Sequence, residues 1–285
     1  MSQNTTKSRN MLIASVCIFG TIGIVRRFIP LSSSLIALVR GFVGAAFLLL
    51  ILVLQRKKLD KNAIHKNLGL LIASGIAIGF NWILLFEAYN YTSVATATLC
   101  YYLAPILVIL AAPVVLKEAL TLRKAICTAI AFGGMVLVSG VTEGGIQGAK
   151  GILFGLGAAV LYASVILMNK KISGVDAYSK TILQLSFASI ALLPYVLLTE
   201  DWTQVAITAP SAALLLTAGI IHTGVAYWLY FGSMGNLKAH TVALFSYIDP
   251  ILAIILSVLL LKEPMSVASL VGAAMILGAA YISEK

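Results

Sequence analysis

Residues 79–122 read GFNWILLFEAYNYTSVATATLCYYLAPILVILAAPVVLKEALTL, and residues 224–267 read GVAYWLYFGSMGNLKAHTVALFSYIDPILAIILSVLLLKEPMSV. A shift of 145 positions, without a gap, places the first stretch over the second, and the match continues to Gly133 and Gly278. The identical pairs include Thr96 and Thr241, Tyr102 and Tyr247, Pro105 and Pro250, Lys117 and Lys262, and Glu118 and Glu263. The chain therefore contains an internal duplication. If each copy holds an odd number of membrane spans, the two copies are inverted relative to each other.

The composition is typical of an integral membrane protein. Of the 285 residues, 60% are hydrophobic and 11% are charged, and the mean hydropathy is +1.02. This leaves too little polar surface to cover a soluble globule. The net charge of +10 does not indicate nucleic-acid binding, because the basic residues lie in loops between apolar runs and form no basic face with interleaved aromatic residues.

The hydropathy pattern predicts an all-α protein of ten transmembrane helices, arranged as two inverted five-helix repeats. The first repeat is residues 1–142, a Gly-rich linker is residues 143–150, and the second repeat is residues 151–285. Each apolar run is long enough to cross ~30 Å of hydrocarbon. The predicted spans are approximately 10–29, 33–54, 67–89, 93–115, 123–141, 151–169, 178–198, 211–234, 239–261 and 266–283.

The distribution of Lys and Arg predicts the orientation. With ten spans, both termini lie on one side of the membrane; fifteen of the 20 basic residues lie on that side and four on the other, while Arg40 lies within a span. Basic residues accumulate in cytoplasmic loops, so both termini are predicted to be cytoplasmic. The Lys-Glu pair of the first copy then lies inside and that of the second copy outside, as inversion requires.

At this point the sequence resembles the ten-helix EamA-type branch of the drug/metabolite transporter superfamily. The resemblance covers essentially the whole chain. Its most specific features are a Pro followed twelve and thirteen residues later by Lys-Glu in both halves, after Pro105 and Pro250, and Arg40 early in the second span. It implies a 5+5 inverted-repeat carrier for small metabolites, often one that exports amino acids or related compounds. The branch is chemically broad, so no particular substrate is implied.

Asp249 is the first candidate for a substrate or proton site. An ionisable side chain inside hydrocarbon needs a partner, water or a function. Asp249 lies roughly 15 Å from the end of its predicted span, near the bilayer midplane. It directly precedes Pro250, whose missing N–H loosens the helix. The first copy has Ala104 at this position, and a charge present in only one of two matched helices favours a functional role over a structural one.

Three further ionisable residues lie within predicted spans. His222 has a depth similar to that of Asp249, and a His-Asp pair would suit proton coupling; the alternative is a neutral His bonded to a backbone carbonyl. Arg40 and Glu87 are predicted to be structural, as an ion pair joining the second and third spans, with substrate contact as the alternative. The resemblance also favours a structural role for Arg40, since its counterpart is neutral Gln184.

Aromatic residues gather near the middles of the spans. Because aromatic side chains in membrane proteins usually collect at the interfaces, a central group predicts a cavity, where rings with polar tips can stack on a flat substrate or enclose a cation. Helix packing explains each ring singly, but the group as a whole favours a cavity. The predicted cavity residues are Asn81, Trp82, Tyr101, Tyr102, Tyr162, Tyr227, Trp228, Tyr247 and Asp249.

The turn residues are predicted to be structural. Pro105 and Pro250 bend the fourth and ninth spans, and the pairs Lys117-Glu118 and Lys262-Glu263 close the turns that follow. An exposed pair of this kind contributes under ~1 kcal/mol. Gating is the lesser alternative for these pairs.

The leading interpretation is a secondary active transporter that moves small metabolites across the cytoplasmic membrane by alternating access, with export favoured. Its partners are a small-molecule substrate, the lipid bilayer and, in one version, protons. No catalytic site, cofactor, metal or nucleic acid is expected, and ATP is not expected because no phosphate-binding loop is present. The alternative is an uptake carrier for an amine or quaternary-ammonium compound. A lipid-modifying membrane enzyme is more remote, because the loops lack a catalytic cluster.

Overall fold

The computed structural model describes residues 3–56, 59–117, 120–138, 148–234, 237, 242 and 245–284, and within these ranges the chain forms helices and no strands. Glu118 and linker residues 143–147 lie outside the described residues. The helices are α1 Gln3–Gly20, α2 Ile22–Arg27, α3 Ser33–Leu54, α4 Lys61–Lys66, α5 Leu68–Tyr91, α6 Val94–Tyr101, α7 Ala104–Val115, α8 Leu122–Val138, α9 Ala149–Lys171, α10 Ala177–Thr199, α11 Ala209–Gly219, α12 Ala226–Met234, α13 Ile248–Leu260 and α14 Val267–Glu284. A π-helical segment, Ile220–Val225, joins α11 to α12.

Seven segments of the described chain are long and apolar enough to cross a membrane. They are Thr6–Arg27, Ser33–Leu54, Leu68–Tyr91, Val94–Val115, Ala149–Lys171, Ala177–Thr199 and Ala209–Ser233. Two shorter apolar helices are Ile248–Leu260 and Val267–Ile282. The all-helical membrane fold is therefore confirmed, while the count of ten spans and the side of the termini stay predictions.

Polar caps set where several spans begin. The Ser32 side chain accepts a hydrogen bond from the Leu35 N–H at the start of α3, and Asp176 accepts one from the Ser179 N–H at the start of α10. Such caps satisfy backbone donors that a helix leaves unpaired. For this reason the predicted spans at 33–54 and 178–198 fall within one residue of α3 and α10.

Several spans are interrupted near their middles. A turn at Tyr102 and Leu103 separates α6 from α7, and a turn at Tyr247 precedes α13. These two turns occupy matching positions of the duplication, each just before its proline, because the proline ring cannot donate the hydrogen bond that would continue the helix. The first span is also interrupted, at Thr21, between α1 and α2.

Contacts between the two repeats come in matched pairs. Helix α5 packs on α9 and its counterpart α12 packs on α1; α6 and α7 pack on α9, and their counterpart α13 packs on α1. Helix α3 packs on its own counterpart α10, and α8 packs on α14. This reciprocal pattern is the one that two copies related by a two-fold axis produce. The duplication read from the sequence therefore extends to the packing.

The lysines that follow α7 and α13 share an unusual backbone conformation. Lys117 has φ 60° and Lys262 has φ 53°, both in the left-handed region that non-glycine residues rarely adopt. One left-handed residue after the last turn is a common helix ending. Both lysines thus lie where their helices end, and their turn and cap role stays a prediction that this backbone conformation supports.

Candidate functional site

Asp249 lies in the first turn of α13, where the two interrupted helices meet. Its Oδ2 accepts a hydrogen bond of 2.6 Å from the Tyr102 hydroxyl, which lies in the break between α6 and α7. The N-terminus of a helix favours a carboxylate, since its backbone N–H groups carry partial positive charge. Asp249 is half-buried although it is placed in mid-span. Helix α1 passes close by: a Cβ on Gly20 would lie 2.8 Å from the Asp249 carbonyl oxygen.

Tyrosine rings surround this carboxylate. The rings of Tyr101 and Tyr162 stack with their centroids 5.1 Å apart, and the Tyr102 ring meets that of Tyr101 edge-on at 6.0 Å. Tyr102, which donates to Asp249, therefore connects this stacked pair to the carboxylate. Four of the predicted cavity residues, Tyr101, Tyr102, Tyr162 and Asp249, thus lie together.

A second aromatic group adjoins Tyr227. Its ring stacks on that of Phe231 with centroids 5.7 Å apart and lies 5.2 Å from that of Phe19. Phe19 and Phe231 were not among the predicted cavity residues. The sequence did contain a signal for Phe19, because it matches Tyr162 in the duplication.

Two predicted cavity residues lie elsewhere. The Asn81 side chain is 2% exposed, and its Nδ2 donates to the Ala158 carbonyl at 2.6 Å, which joins α5 to α9. The Tyr247 ring lies edge-on to Tyr281 and packs in a separate hydrophobic cluster with Leu103. These contacts are not with Asp249 or its tyrosine neighbours, because depth along a span does not specify the face on which a side chain lies, and a cavity role for these two residues stays a prediction. 

The remaining two predicted cavity residues are tryptophans that pack in the main hydrophobic core. Trp82 is buried, whereas Trp228 is partly buried. The Trp228 carbonyl accepts a hydrogen bond of 2.9 Å from the Tyr178 hydroxyl. Trp82 contributes to the site indirectly, by supporting Arg40.

Arg40 does not pair with Glu87, and this prediction was wrong. The Arg40 guanidinium lies 4.2 Å from the centroid of the Trp82 ring, and its Nε donates to the Thr223 hydroxyl at 2.7 Å. Helices α3 and α5 run side by side, and Arg40 lies about 10 Å further along α3 than Ser33, the residue that contacts Glu87. The difference in depth separates the two charges.

The partner of Glu87 is a different arginine. Glu87 Oε2 accepts hydrogen bonds from Ser33 Oγ at 2.7 Å and Asn90 Nδ2 at 3.1 Å. Arg26 Nη2 donates to the same Ser33 hydroxyl and to Asn90 Oδ1, both at 3.1 Å. Serine and asparagine therefore bridge the Arg26 and Glu87 charges, and this network joins α2, α3 and α5.

His222 and Asp249 have separate partners. His222 Nε2 lies 2.9 Å from Thr21 Oγ1, and Nδ1 lies 3.3 Å from the Thr217 carbonyl oxygen. The side chain is buried in the π-helical segment, against the break in the first span. A direct His222–Asp249 pair was therefore the wrong prediction. The arrangement matches the alternative, a histidine bonded to a backbone carbonyl.

Glu263 holds together the ends of three spans, which makes it more than a turn residue. Its carboxylate receives hydrogen bonds from Arg27 Nη2 at 2.7 Å, from the Val94 N–H at 2.8 Å and from Ser257 Oγ. These partners lie on α2, at the start of α6 and on α13. The Glu263 side chain is 14% exposed, against 32% for Arg27. We call Arg27, Val94, Ser257 and Glu263 the Glu263 cluster.

A groove between α8 and α14 does not form part of this site. It has a volume of about 590 Å³ and is lined by Ile126, Cys127, Ile130 and Met275, with Arg123 as its one charged lining residue. Among the described residues, no group of three His, Cys, Asp or Glu could hold a metal ion.

Comparison with known proteins gives one consistent family. The model of the EamA-like transporter family matches residues 10–140 and again residues 149–284. The "Uncharacterized transporter YxxF" of Bacillus subtilis (strain 168) is 28% identical over 86% of this chain and 79% of its own length. Protein PecM of Dickeya dadantii (strain 3937) is 26% identical over 98% and 92%, and protein RarD of Salmonella typhi is 29% identical over 72% and 67%.

A solved crystal structure shares the fold. It superimposes with a TM-score of 0.66 over 97% of this chain and 96% of the other, at 18% sequence identity. At this sequence identity the similarity shows a shared fold and says nothing of ligands.

Proposed function

Because the chain belongs to the EamA-like transporter family, whose members here include named transporters, we propose that it is a secondary active carrier that exports amino acids or related metabolites by alternating access. The family places it in the cell membrane as a multi-pass protein that transports small molecules. The coupling, the direction and the substrate are the parts that we propose.

The observation that carries the proposal is the bond between Tyr102 and Asp249. It joins one helix break from each repeat, in mid-span, among tyrosine rings. Carriers with inverted repeats bind their substrates near the midplane, between discontinuous helices. A half-buried carboxylate at this place can bind an ammonium group of the substrate or a proton.

Support for alternating access comes from the Glu263 cluster. It ties together α2, α6 and α13 at one end of the bundle, and its Ser257 lies about two turns of α13 away from Asp249. A salt bridge and a charge-assisted hydrogen bond at the end of a cavity can close that end while the other end opens. By the charge distribution this end faces outward, and the reciprocal packing of the repeats supports the inverted ten-span topology.

The surroundings of Asp249 also support two alternative functions. Asp249 among tyrosine rings also suits uptake of an amine or quaternary-ammonium compound, since ring faces and a carboxylate both attract cations. Proton coupling through Asp249 is the second, with His222 acting separately because it contacts Thr21 and not Asp249.

Counterflow in liposomes tests the carrier function. Vesicles that contain the purified protein and an excess of unlabelled amino acid should take up the labelled amino acid transiently and saturably. Asp249→Asn should reduce this exchange by at least tenfold, because the mid-span negative charge is lost, whereas Asp201→Asn, in an exposed loop, should not. A flux that does not saturate and shows no exchange would contradict a carrier.

A further inference from the structure

Arg40 is a buried cation whose hydrogen bonds are mostly unused. Arg40 is 5% exposed, and its Nε donates a hydrogen bond to Thr223. Its guanidinium carbon lies 4.2 and 5.6 Å from the ring centroids of Trp82 and Phe86. Within the described part of the chain, Nη1 and Nη2 have no hydrogen-bond acceptor, and neither atom is completely inaccessible. An arginine has five N–H donors, so most of them are available.

The surroundings of Arg40 offer it no anion at contact distance. Glu87 already accepts hydrogen bonds from Ser33 and Asn90, and Asn90 in turn accepts one from Arg26. Asp249 is not in direct contact with Arg40 either, since among the described residues the one ion pair within 4.0 Å is Arg27–Glu263. A buried charge without a direct counter-ion is strongly unfavourable, so this arrangement indicates a site that an anion completes.

The fold presents the guanidinium in one fixed orientation. A Cβ on Gly44, one turn along α3 from Arg40, would collide with Thr223, so this glycine lets α3 approach the π-helical segment. Thr223 holds Nε, and Trp82 supports one face of the guanidinium. The Nη edge remains for a carboxylate, which matches the guanidinium fork with two parallel hydrogen bonds.

We propose that Arg40 binds the carboxylate of the transported molecule while Asp249 binds its ammonium group, so that the site requires both charges. This inference rests on the proposed carrier function and names the substrate chemistry of the same site. The two residues are linked through the break in the first span: Gly20 packs against the Asp249 backbone, and Thr21 contacts His222, the neighbour of the Thr223 that bonds Arg40. Tyr102, which donates to Asp249, adjoins the stacked rings of Tyr101 and Tyr162, and these rings supply faces for the rest of the molecule.

The test compares each amino acid with its own uncharged and decarboxylated forms. Purified protein is titrated with a panel of L-amino acids, their amides and the corresponding amines, and binding is followed by thermal shift and by tryptophan fluorescence, to which Trp82 beside Arg40 contributes. We expect the best-bound amino acid to bind at least tenfold more tightly than its amide or amine, because both lack the carboxylate.

Variants separate recognition from folding. Arg40→Gln should abolish the preference for the carboxylate, and Arg40→Lys should retain part of it, since the charge remains without the fork. Arg26→Lys is the matched control: Arg26 is equally buried, but its Nη1 and Nη2 already donate to Ile29, Ser33 and Asn90, so the preference should persist. If Arg40→Gln does not fold, the binding of amino acids, amides and amines to wild type and to Arg40→Lys still tests whether Arg40 recognises the carboxylate.

Three results would overturn the inference: amines that bind wild type as tightly as the amino acids, a folded Arg40→Gln that keeps the preference, or a panel in which no amino acid binds. Counterflow distinguishes a failure of the proposed Arg40 role from a failure of the proposed carrier function. Saturable exchange of amines without a carboxylate would leave the carrier intact and reject only the role of Arg40. No exchange of any compound would reject the carrier itself.

Discussion

Tyr102 and Tyr247 occupy equivalent positions of the duplication, but their side chains make different contacts. The Tyr102 hydroxyl donates to Asp249, whereas the Tyr247 ring packs against Tyr281. The difference arises because the second copy has Asp249 where the first has Ala104. A single difference between the copies thus makes the candidate site asymmetric although the scaffold is duplicated.

Tyr102→Phe should lower the rate of exchange about tenfold or more, because it removes a hydrogen bond to a charged group, which contributes ~1.5–3 kcal/mol. Tyr247→Phe is the natural control and should leave exchange near the wild-type rate. Both rates are measured by counterflow on protein that elutes as a single species in size-exclusion chromatography. If both variants lowered the exchange rate equally, the Tyr102–Asp249 hydrogen bond would have no specific role in transport.

At the scale of elements, a strained turn brings Glu263 to its partners. The left-handed conformation of Lys262 reverses the chain after α13, so that the Glu263 N–H donates to the Ser257 carbonyl at 3.2 Å while its carboxylate faces Arg27 and the start of α6. Sequence reasoning described Lys262-Glu263 as an exposed pair that closes a turn. That description was wrong for Glu263, because its partners are distant in the chain.

Glu263→Gln should loosen this end of the bundle, because the salt bridge to Arg27 is lost and the hydrogen bond to the Val94 N–H is weakened. Spin labels at two exposed positions, Phe28→Cys and Val267→Cys, would report the change as longer and broader distances. Glu200→Gln is the matched control, a carboxylate bonded to Ser32 between the packed helices α3 and α10. Unchanged distances in Glu263→Gln would argue against a gate.

At the scale of the whole molecule, the proposed alternating access depends on the matched packing of the two repeats. Most large contacts join a helix of one repeat to a helix of the other, as α5 with α9 and α12 with α1. A rearrangement that opens one end therefore has a symmetry-related counterpart at the other end. The proposed mechanism needs the two copies to be inverted.

Leu120 and Met265 are equivalent positions that test this inversion. In a cysteine-free background, Met265→Cys should react with a membrane-impermeant maleimide on intact cells, and Leu120→Cys should react only after permeabilisation. The permeabilised sample serves as the control for reactivity. Labelling of both positions from the same side would show that the copies are parallel.

The sequence by itself determined the membrane class, the duplication, the limits of most helices and the family. These features follow from hydropathy, capping residues and prolines, which act over a few neighbouring residues or over a whole span. It also identified Asp249 and most of its tyrosine neighbours, because charges and aromatic rings are unusual at that depth.

Only the tertiary structure decided which side chains meet. Ser33 and Asn90 connect Glu87 to Arg26 and not to Arg40. His222 contacts Thr21 and not Asp249. Asn81 donates to the Ala158 carbonyl. Such pairings depend on the rotation and the relative depth of helices that are distant in the chain, and a residue's position along its own span specifies neither. The buried cation of Arg40, left with unused donors, became visible only when the partner of Glu87 was known.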